Sequence, residues 1–547
     1  MICTAATAIW LGASLREAAR FKRATGRVRD EQQRVLERLI RMNADTDFGR
    51  VHAFSRIHSV REYQQRVPVR TYEEFQPYID RVCAGARDVL TRDPVRLFEP
   101  TSGTASPTKL IPYTASLQHE FQRGIAPWVA DLFLHDPQLM HGEAYWSVSP
   151  AFQHERRTAG GIPIGFDDDA AYVGGWRRRL VQATMAVPPS ARVARDLATF
   201  QQLTLLSLIR HPNLRLMSVW NPTFLSLLMN ALEAHADALL HDLRSDPRRH
   251  DALNNALRAR SPAERHTTLW PRLRLISCWA DAHAAAPAAQ VAELFPQCRI
   301  QPKGVIATEG FISMPMEGHE GSALAIRSHF LEFLPIRADH ERCGEPPVLA
   351  HELESGQRYE VVLSNGAGLY RYRLGDYIEV VGRLHQCPLV RFIGRLRYIS
   401  DWFGEKLNEA HVASVLRDAM QSLAVSPSFS MLACEAKDAR PAYVLYIETG
   451  EGDGTLHRLG ELVDAHLRGN VHYDYARRLG QLAPIRVFRA AGAGETYLNV
   501  AMRAGTRAGD VKLVALDRRD GWSQRFRGGW VGLEVTRTGL HHSVPTR

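Results

Sequence analysis

A chain of 547 residues is several times longer than a typical domain, so it holds one large composite domain or two to three smaller ones. With 45% hydrophobic and 23% charged residues it has a globular composition, and no run approaches the ~18 unbroken apolar residues of a membrane span, which predicts a protein without an integral membrane segment. The net charge of +9 is a small excess at this length, and no basic block alternates with aromatic residues, which argues against a nucleic-acid partner.

The first eleven residues are mildly apolar but have no basic segment before them, so they read as a short amphipathic helix packed on the body rather than a secretory signal. Residues 15–41 carry Val28, Val35, Leu36, Leu39 and Ile40 at helical spacing, and a polar break follows at 43–50. The strand-like run Val95-Arg96-Leu97-Phe98 leads into a loop of small hydroxyl residues. Helical patterns dominate 116–260, with apolar stretches at 197–209 and 224–240 and a Gly-rich loop at 160–165.

The texture then changes. Short β-rich runs are predicted at 273–278, 299–307, 323–326, 359–363, 369–372, 378–381 and 390–393, separated by Gly, Pro or Asn turns. From 401 the pattern restarts as helix (408–423), strand (442–447), helix (458–467) and strand (484–489), a small α+β unit of its own. The expected fold is α/β: a large N-terminal domain, 1–396, of mixed sheets flanked by helices, and a small mobile C-terminal domain, 397–547, ending in a partly ordered tail from about 525.

Seven scattered cysteines without C-x-x-C spacing suit neither a disulfide framework nor a zinc site, and read as thiols of a reducing cytoplasm. Metal-ligand spacing is absent among the histidines, so any metal is expected to arrive with a substrate. Only six of the 68 basic residues are lysines: Lys22, Lys109, Lys303, Lys406, Lys437 and Lys512. In so arginine-rich a chain each lysine calls for a reason, because a compact ammonium on a flexible stem does what a guanidinium fork cannot. For Lys303 and Lys437 a surface position is the plain expectation.

Four segments carry candidate chemistry. Thr101-Ser102-Gly103-Thr104-Ala105-Ser106-Pro107-Thr108-Lys109 offers hydroxyls, N–H groups and close backbone approach to anionic oxygens, although alone such a run also reads as a solvated turn and it is not a P-loop. In Gly304-Val305-Ile306-Ala307-Thr308-Glu309-Gly310 a strand delivers a hydroxyl and a carboxylate into a glycine turn, where Glu309 could hold Mg²⁺ bound to ATP or be a surface side chain. Tyr370-Arg371-Tyr372-Arg373-Leu374-Gly375-Asp376 alternates tyrosine and arginine on opposite strand faces; Asp376 suits the paired hydroxyls of a ribose, and the alternative is a hairpin with an exposed charged face. The Gly394-Arg395 junction before Asp401 reads as a hinge.

Taken together and in this order, the four segments resemble the acyl acid–amido synthetase family first known from auxin-responsive plant proteins, the Gretchen Hagen family, within the acyl-adenylate-forming superfamily. The resemblance extends to Asp45-Thr46-Asp47-Phe48-Gly49-Arg50, Val67-Pro68-Val69-Arg70-Thr71-Tyr72-Glu73, Trp220-Asn221-Pro222-Thr223-Phe224-Leu225 and Asp510-Val511-Lys512, and is as close to the family's bacterial branch as to its plant enzymes. It implies ATP and Mg²⁺ as cofactors, with Thr101, Ser102, Gly103, Thr104 and Lys109 at the phosphates, Thr308 and Glu309 at the α-phosphate and metal, Asp376 and Arg395 on the ribose side, and Tyr372 among the nucleotide-binding residues. It also implies Lys512 as the catalytic lysine of the small domain. Where the superfamily often stacks an aromatic ring on adenine, Val305 and Ile306 stand here, so aliphatic packing is expected instead.

The implied reaction is activation of a carboxylic acid as its adenylate and conjugation to an amine, expected to be an amino acid. Transfer to coenzyme A and a non-enzymatic nucleotide or acyl-adenylate sensor are the alternatives. Trp220, Phe224 and Trp279 are the candidate walls of the acid pocket, and a monomer is the favoured state.

Overall fold

The computed structural model describes residues 2–100, 109–147, 156–165, 175–194, 196–336, 346–395, 399–400, 402, 405, 407–435, 441–503 and 511–532. The phosphate-loop residues Thr101, Ser102, Gly103 and Thr104, half of the expected hinge, and Lys406 and Lys437 lie outside them. The chain divides into two compact units, Met1–Arg397 with Tyr497–Leu513, and Tyr398–Thr496 with Val514–Arg547. Lys512, expected on the small domain, is therefore grouped with the large one.

In the first unit, short strands at Ala144–Trp146, Leu216–Ser218, Leu275–Cys278 and Arg299–Pro302 form a parallel sheet whose spatial order follows the sequence. The first two of these strands fall inside the region expected to be helical. Parallel strands buried on both faces read as unbroken apolar runs, and three residues are too few to display a period. Helices Leu197–Arg210 and Pro222–Ala234 fall on the expected apolar stretches, capped by the side chains of Asp196 and Asn221 through Thr199 and Thr223 N–H groups, whereas the helix Ala285–Leu294 lies where none was expected.

A seven-stranded antiparallel sheet is ordered Ser313–Pro315, Ser322–Leu324, Cys387–Arg395, Tyr372–Leu384, Arg358–Ser364, Phe330–Ile336, Val348–Leu349. Its strand Phe330–Ile336, with a proline near one end, was not among the expected runs. The main core joins this sheet to the N-terminal helices through Phe21, Val35, Phe48, Tyr63 and Phe75. The expected amphipathic start is a longer helix, Ile2–Ala24, with Trp10 edge-on to Phe133 and Trp146. The expected polar break contains a short helix, Asp47–Val51, capped by the Thr46 hydroxyl on Gly49 N–H at 3.0 Å.

In the second unit a five-stranded sheet, ordered Leu516–Asp517, Phe429–Glu435, Ala442–Glu448, Ala483–Ala491, Arg527–Trp530, carries helices Glu409–Ser422, Asp453–Leu467 and Val471–Arg478. Part of the expected tail is thus the strand Arg527–Trp530. Among the described residues no helix is long and apolar enough to cross a membrane, and the six described cysteines are free thiols.

Candidate active site

Parallel α/β sheets bind ligands at the carboxyl ends of their strands, where chain reversals leave side chains and backbone groups facing a crevice. Trp220, Trp279 and Lys303 stand just beyond three such ends. A cleft there, partly open to solvent, is lined by Trp279, Lys303, Val305, Asp376, Phe392 and Lys512, together with Ile306 and Asp281. Residues from separate sequence segments, Asp376, Trp279 and Lys512, are thereby brought to one place within the large unit.

The turn beside this cleft is built by a tight hairpin. Ile306–Ala307 pairs with Gly310–Phe311, leaving Thr308 and Glu309 as its tip. Glu309 is 6% exposed. The Tyr372 hydroxyl donates to its Oε1 at 3.0 Å and Asn365 Nδ2 donates to its backbone carbonyl at 2.7 Å. Beyond the tip, Phe311 N–H donates to His329 Nε2 at 2.9 Å, so His329 Nδ1 carries the proton and meets Glu120 Oε2 at 3.1 Å. A Cβ on Gly310 would lie 2.9 Å from His329 Nε2, which accounts for glycine after the carboxylate.

Asp376 is 1% exposed and is the cross-strand partner of Arg395, so the backbone register joins the two residues expected on the ribose side. The tyrosine–arginine alternation breaks at Arg371, whose φ of 50° turns the chain just before the strand Tyr372–Leu384. The two arginines are not an exposed face: Arg371 binds Glu332 through two 2.9 Å hydrogen bonds, and Arg373 binds Glu360 at 3.0 and 2.7 Å.

Lys512 stands with its Nζ 4.4 Å from the Trp279 ring centroid. Asn221 holds the segment before it, its Nδ2 donating to Val511 carbonyl while its Oδ1 caps the helix Pro222–Ala234. The Trp-Asn-Pro motif therefore has a division of labour: tryptophan against the cleft residue Trp279, asparagine on the lysine segment, proline opening a helix. Trp220 and Trp279 meet at 5.9 Å. Phe224 does not join them; it is 5% exposed and packs on Phe200 at 6.3 Å in the core.

Lys109 is buried, donates to Glu73 Oε1 at 3.2 Å and lies 4.6 Å from the Tyr72 ring centroid; burial pushes the Tyr72 phenol up to about 12. Lys303, for which the surface was expected, is 8% exposed and donates to Ser218 Oγ at 2.7 Å. It also lies beside Cys278, whose thiol burial pushes up to about 12 against the pull of that ammonium. Asp281 and Phe392 are cleft residues outside the expected set. Burial raises the Asp281 carboxyl above its ordinary range, against a hydrogen bond from the Phe392 backbone and the charge of Arg391.

Among the described residues no group of three or more His, Cys, Asp or Glu side chains could hold a metal by itself. A lone carboxylate at a turn tip fits a magnesium ion whose other ligands are phosphate oxygens and water.

This fold and cleft define the class. The solved structure of AtGH3.15 acyl acid amido synthetase in complex with 2,4-DB has a TM-score of 0.81 over 96% of this chain and 98% of its own at 18% identity, so the fold is shared. Residues 17–300 match the GH3 family N-terminal domain, 322–395 the GH3 family central domain and 410–518 the GH3 family C-terminal domain. The chain belongs to the GH3 family. Relatives include the indole-3-acetic acid-amido synthetase GH3.6 of Arabidopsis thaliana, 23% identical over 453 residues covering 72% of each chain, and GH3.15 of the same plant, 24% identical over 480 residues covering 78% of each. A GH3 domain-containing protein of Homo sapiens is 34% identical over 148 residues, 26% of this chain and 27% of its own.

Proposed function

We propose that this protein is an ATP-dependent acyl acid–amido synthetase that activates a carboxylic acid as its adenylate and transfers the acyl group to an amine. The observation that carries the reading is the convergence of Asp376 and Lys512 on one cleft, beside the strand that leads to the Thr308–Glu309 turn, in a chain of this family.

In the first step a carboxylate oxygen of the acid attacks the α-phosphorus of ATP; the new P–O bond forms as the α–β bond breaks and pyrophosphate leaves. Two anions must meet, so neutralising charge and fixing geometry are the main tasks. Lys512 answers the charge at the acid, Asp376 accepts from the ribose hydroxyls, and Glu309, aimed by Tyr372, would hold the Mg²⁺ that polarises the phosphates. Holding the reactants in line removes up to roughly 7–11 kcal/mol of barrier in the best intramolecular cases. In the second step the amine nitrogen attacks the acyl carbon, AMP departs with the C–O electron pair, and the amine proton passes to solvent. Rotation of the small domain about 394–401 between steps would let one site serve both chemistries.

The test is a panel of carboxylic acids assayed for pyrophosphate release with ATP and Mg²⁺, followed by coenzyme A and amino acids supplied separately and the product identified by mass. An amide with an amino acid supports the reading. A thioester alone overturns the acceptor, and ATP binding with no pyrophosphate under any acid overturns the enzyme.

A further inference from the structure

The turn that carries Glu309 is held by a buried acid–imidazole pair to which the adenylation chemistry assigns no task. Glu120 lies on the helix Ala115–His135 and is 3% exposed, and His329, just before the strand Phe330–Ile336, is fully buried. Gln32 of the helix Val28–Met42 fixes the backbone of His329, its Nε2 donating to the His329 carbonyl at 2.8 Å. The ring then spans two elements: Nε2 accepts from Phe311 N–H at 2.9 Å, and Nδ1 donates to Glu120 Oε2 at 3.1 Å.

The same Glu120 oxygen reaches the turn by a second route. Oε2 also accepts from Gly366 N–H at 2.9 Å, and the neighbouring Asn365 donates from Nδ2 to the Glu309 carbonyl at 2.7 Å. Thr114, which caps the Glu120 helix, donates its hydroxyl to the Gly366 carbonyl at 2.9 Å, so both backbone polar groups of Gly366 are tied to that helix. One tether runs through Phe311 and the other through Asn365, and both end on one carboxylate oxygen. Glycines permit the close approach this needs: a Cβ would lie 2.2 Å from Phe311 Cδ1 at Gly124, 2.6 Å from Ser116 Cβ at Gly366 and 2.9 Å from His329 Nε2 at Gly310.

Withdrawing a carboxylate and an imidazole from water is unfavourable, and apolar side chains of similar shape would hold a hairpin against a helix at lower cost. What the pair adds is direction. With Nε2 an acceptor and Nδ1 a donor, the imidazole takes one tautomer and one ring orientation, as a metal-bound histidine does when a carboxylate stands behind it. Phe311 pairs with Ile306 across the hairpin, so fixing its N–H fixes the strand ends from which Thr308 and Glu309 project. We propose that Glu120 and His329 are positioning residues that set the place of the Glu309 carboxylate before ATP arrives, while Tyr372 sets its direction, so that Mg²⁺ carried by ATP meets a ready ligand. The inference rests on the adenylation reading for what Glu309 holds.

Calorimetric titration of ATP into the full chain, with Mg²⁺ and again with a chelator in its place, separates placement of the carboxylate from support of the fold. The ratio of the two affinities is compared between wild type, His329→Leu and His329→Gln, and kcat/KM for ATP and KM for the acid are read by pyrophosphate release. His329→Leu should reduce the Mg²⁺-dependent gain in ATP affinity, and kcat/KM for ATP, by about tenfold or more, as loss of a partner behind a metal ligand does. ATP affinity in chelator and the KM for the acid should stay within about twofold. His329→Gln, which can return an acceptor oxygen to Phe311 N–H, should recover much of the loss. A Leu variant that melts lower yet keeps the Mg²⁺ gain, or that weakens binding with and without Mg²⁺ alike, overturns the proposal, as does a wild type that binds ATP equally under both conditions. Should His329→Leu fail to fold, Glu120→Gln decides, because it keeps the shape and offers both tethers a weaker acceptor: a reduced Mg²⁺ gain supports the pair and an unchanged gain overturns it. If no acid releases pyrophosphate, the adenylation reading fails, and the two ATP titrations still judge the pair by the same ratios.

Discussion

Tyr372→Phe removes the hydrogen bond that aims Glu309 in the candidate site. The ring is fully buried, 6.2 Å from that of Phe75, and a phenylalanine keeps that packing. What is lost is the donor 3.0 Å from Glu309 Oε1. The turn itself stays tethered by Asn365 on the Glu309 carbonyl and by His329 on Phe311 N–H, so the loss falls on the direction of the carboxylate. A hydrogen bond to a charged group contributes about 1.5–3 kcal/mol, which at about 1.4 kcal/mol per decade corresponds to roughly 10- to 150-fold. We expect that loss in kcat/KM for ATP, measured by initial rates of pyrophosphate release across ATP and Mg²⁺ concentrations, with the KM for the acid nearly unchanged. A variant that melts like the wild type and keeps its kcat/KM for ATP within about twofold would refute the assignment of Glu309 to the metal and phosphates.

Lys512→Ala should lower acid-dependent pyrophosphate release by at least about a hundredfold while ATP still binds by titration; unchanged release removes Lys512 from the chemistry. His266, 1% exposed and stacked on Phe295 at 4.7 Å, is held by burial at about 4 rather than 6.5. The unfolded chain therefore gains a proton that the folded one refuses, and stability present above pH 6.5 is lost as the pH falls toward 4, by up to about 3 kcal/mol. Melting temperature against pH should fall more steeply over that window in the wild type than in His266→Phe, and equal slopes would contradict the assignment. Arg371→Met leaves the Glu332 carboxylate, 1% exposed, without its guanidinium, at an expected cost of about 3–5 kcal/mol; thermal melting should show it, and adding Glu332→Gln should recover part.

How much of this was legible beforehand depended on the range over which each feature is set. The Thr308–Glu309 turn could be read locally, because a β run, a hydroxyl, a carboxylate and a glycine follow one another within a few residues. The pairing of Asp376 with Arg395 follows from two strands joined by a short turn. Lys303 was misjudged because Pro302-Lys303-Gly304 reads as an exposed turn, whereas its burial comes from Trp128 and Trp220 on distant segments. The arginines of the Tyr-Arg-Tyr-Arg run were unreadable for the same reason: the glutamates that neutralise them sit on other strands, one of them the unexpected Phe330–Ile336. Position along the chain placed Lys512 with the small domain, but the Asn221 tether to Val511 spans the large unit. Asp281 gave no signal, since a lone aspartate after a short strand differs in nothing from a surface one until its burial is known.

The scarcity of lysine acquires a physical reason. Lys109, Lys303 and Lys512 each rest against an aromatic face, at 4.6 Å from Tyr72, 5.0 Å from Trp220 and 4.4 Å from Trp279. A cation over a ring gains about 0.5–2 kcal/mol, enough to hold an ammonium in place without matching the attraction of an arriving carboxylate or phosphate. An arginine would stack its planar guanidinium on the same ring and direct a rigid fork at one geometry. The ammonium, with three donors on a four-carbon stem, reorients more freely than a stacked guanidinium. In a chain that otherwise selects arginine for its structural ion pairs, such as those to Glu332 and Glu360, lysine at these ring faces suits positions where the charge must move.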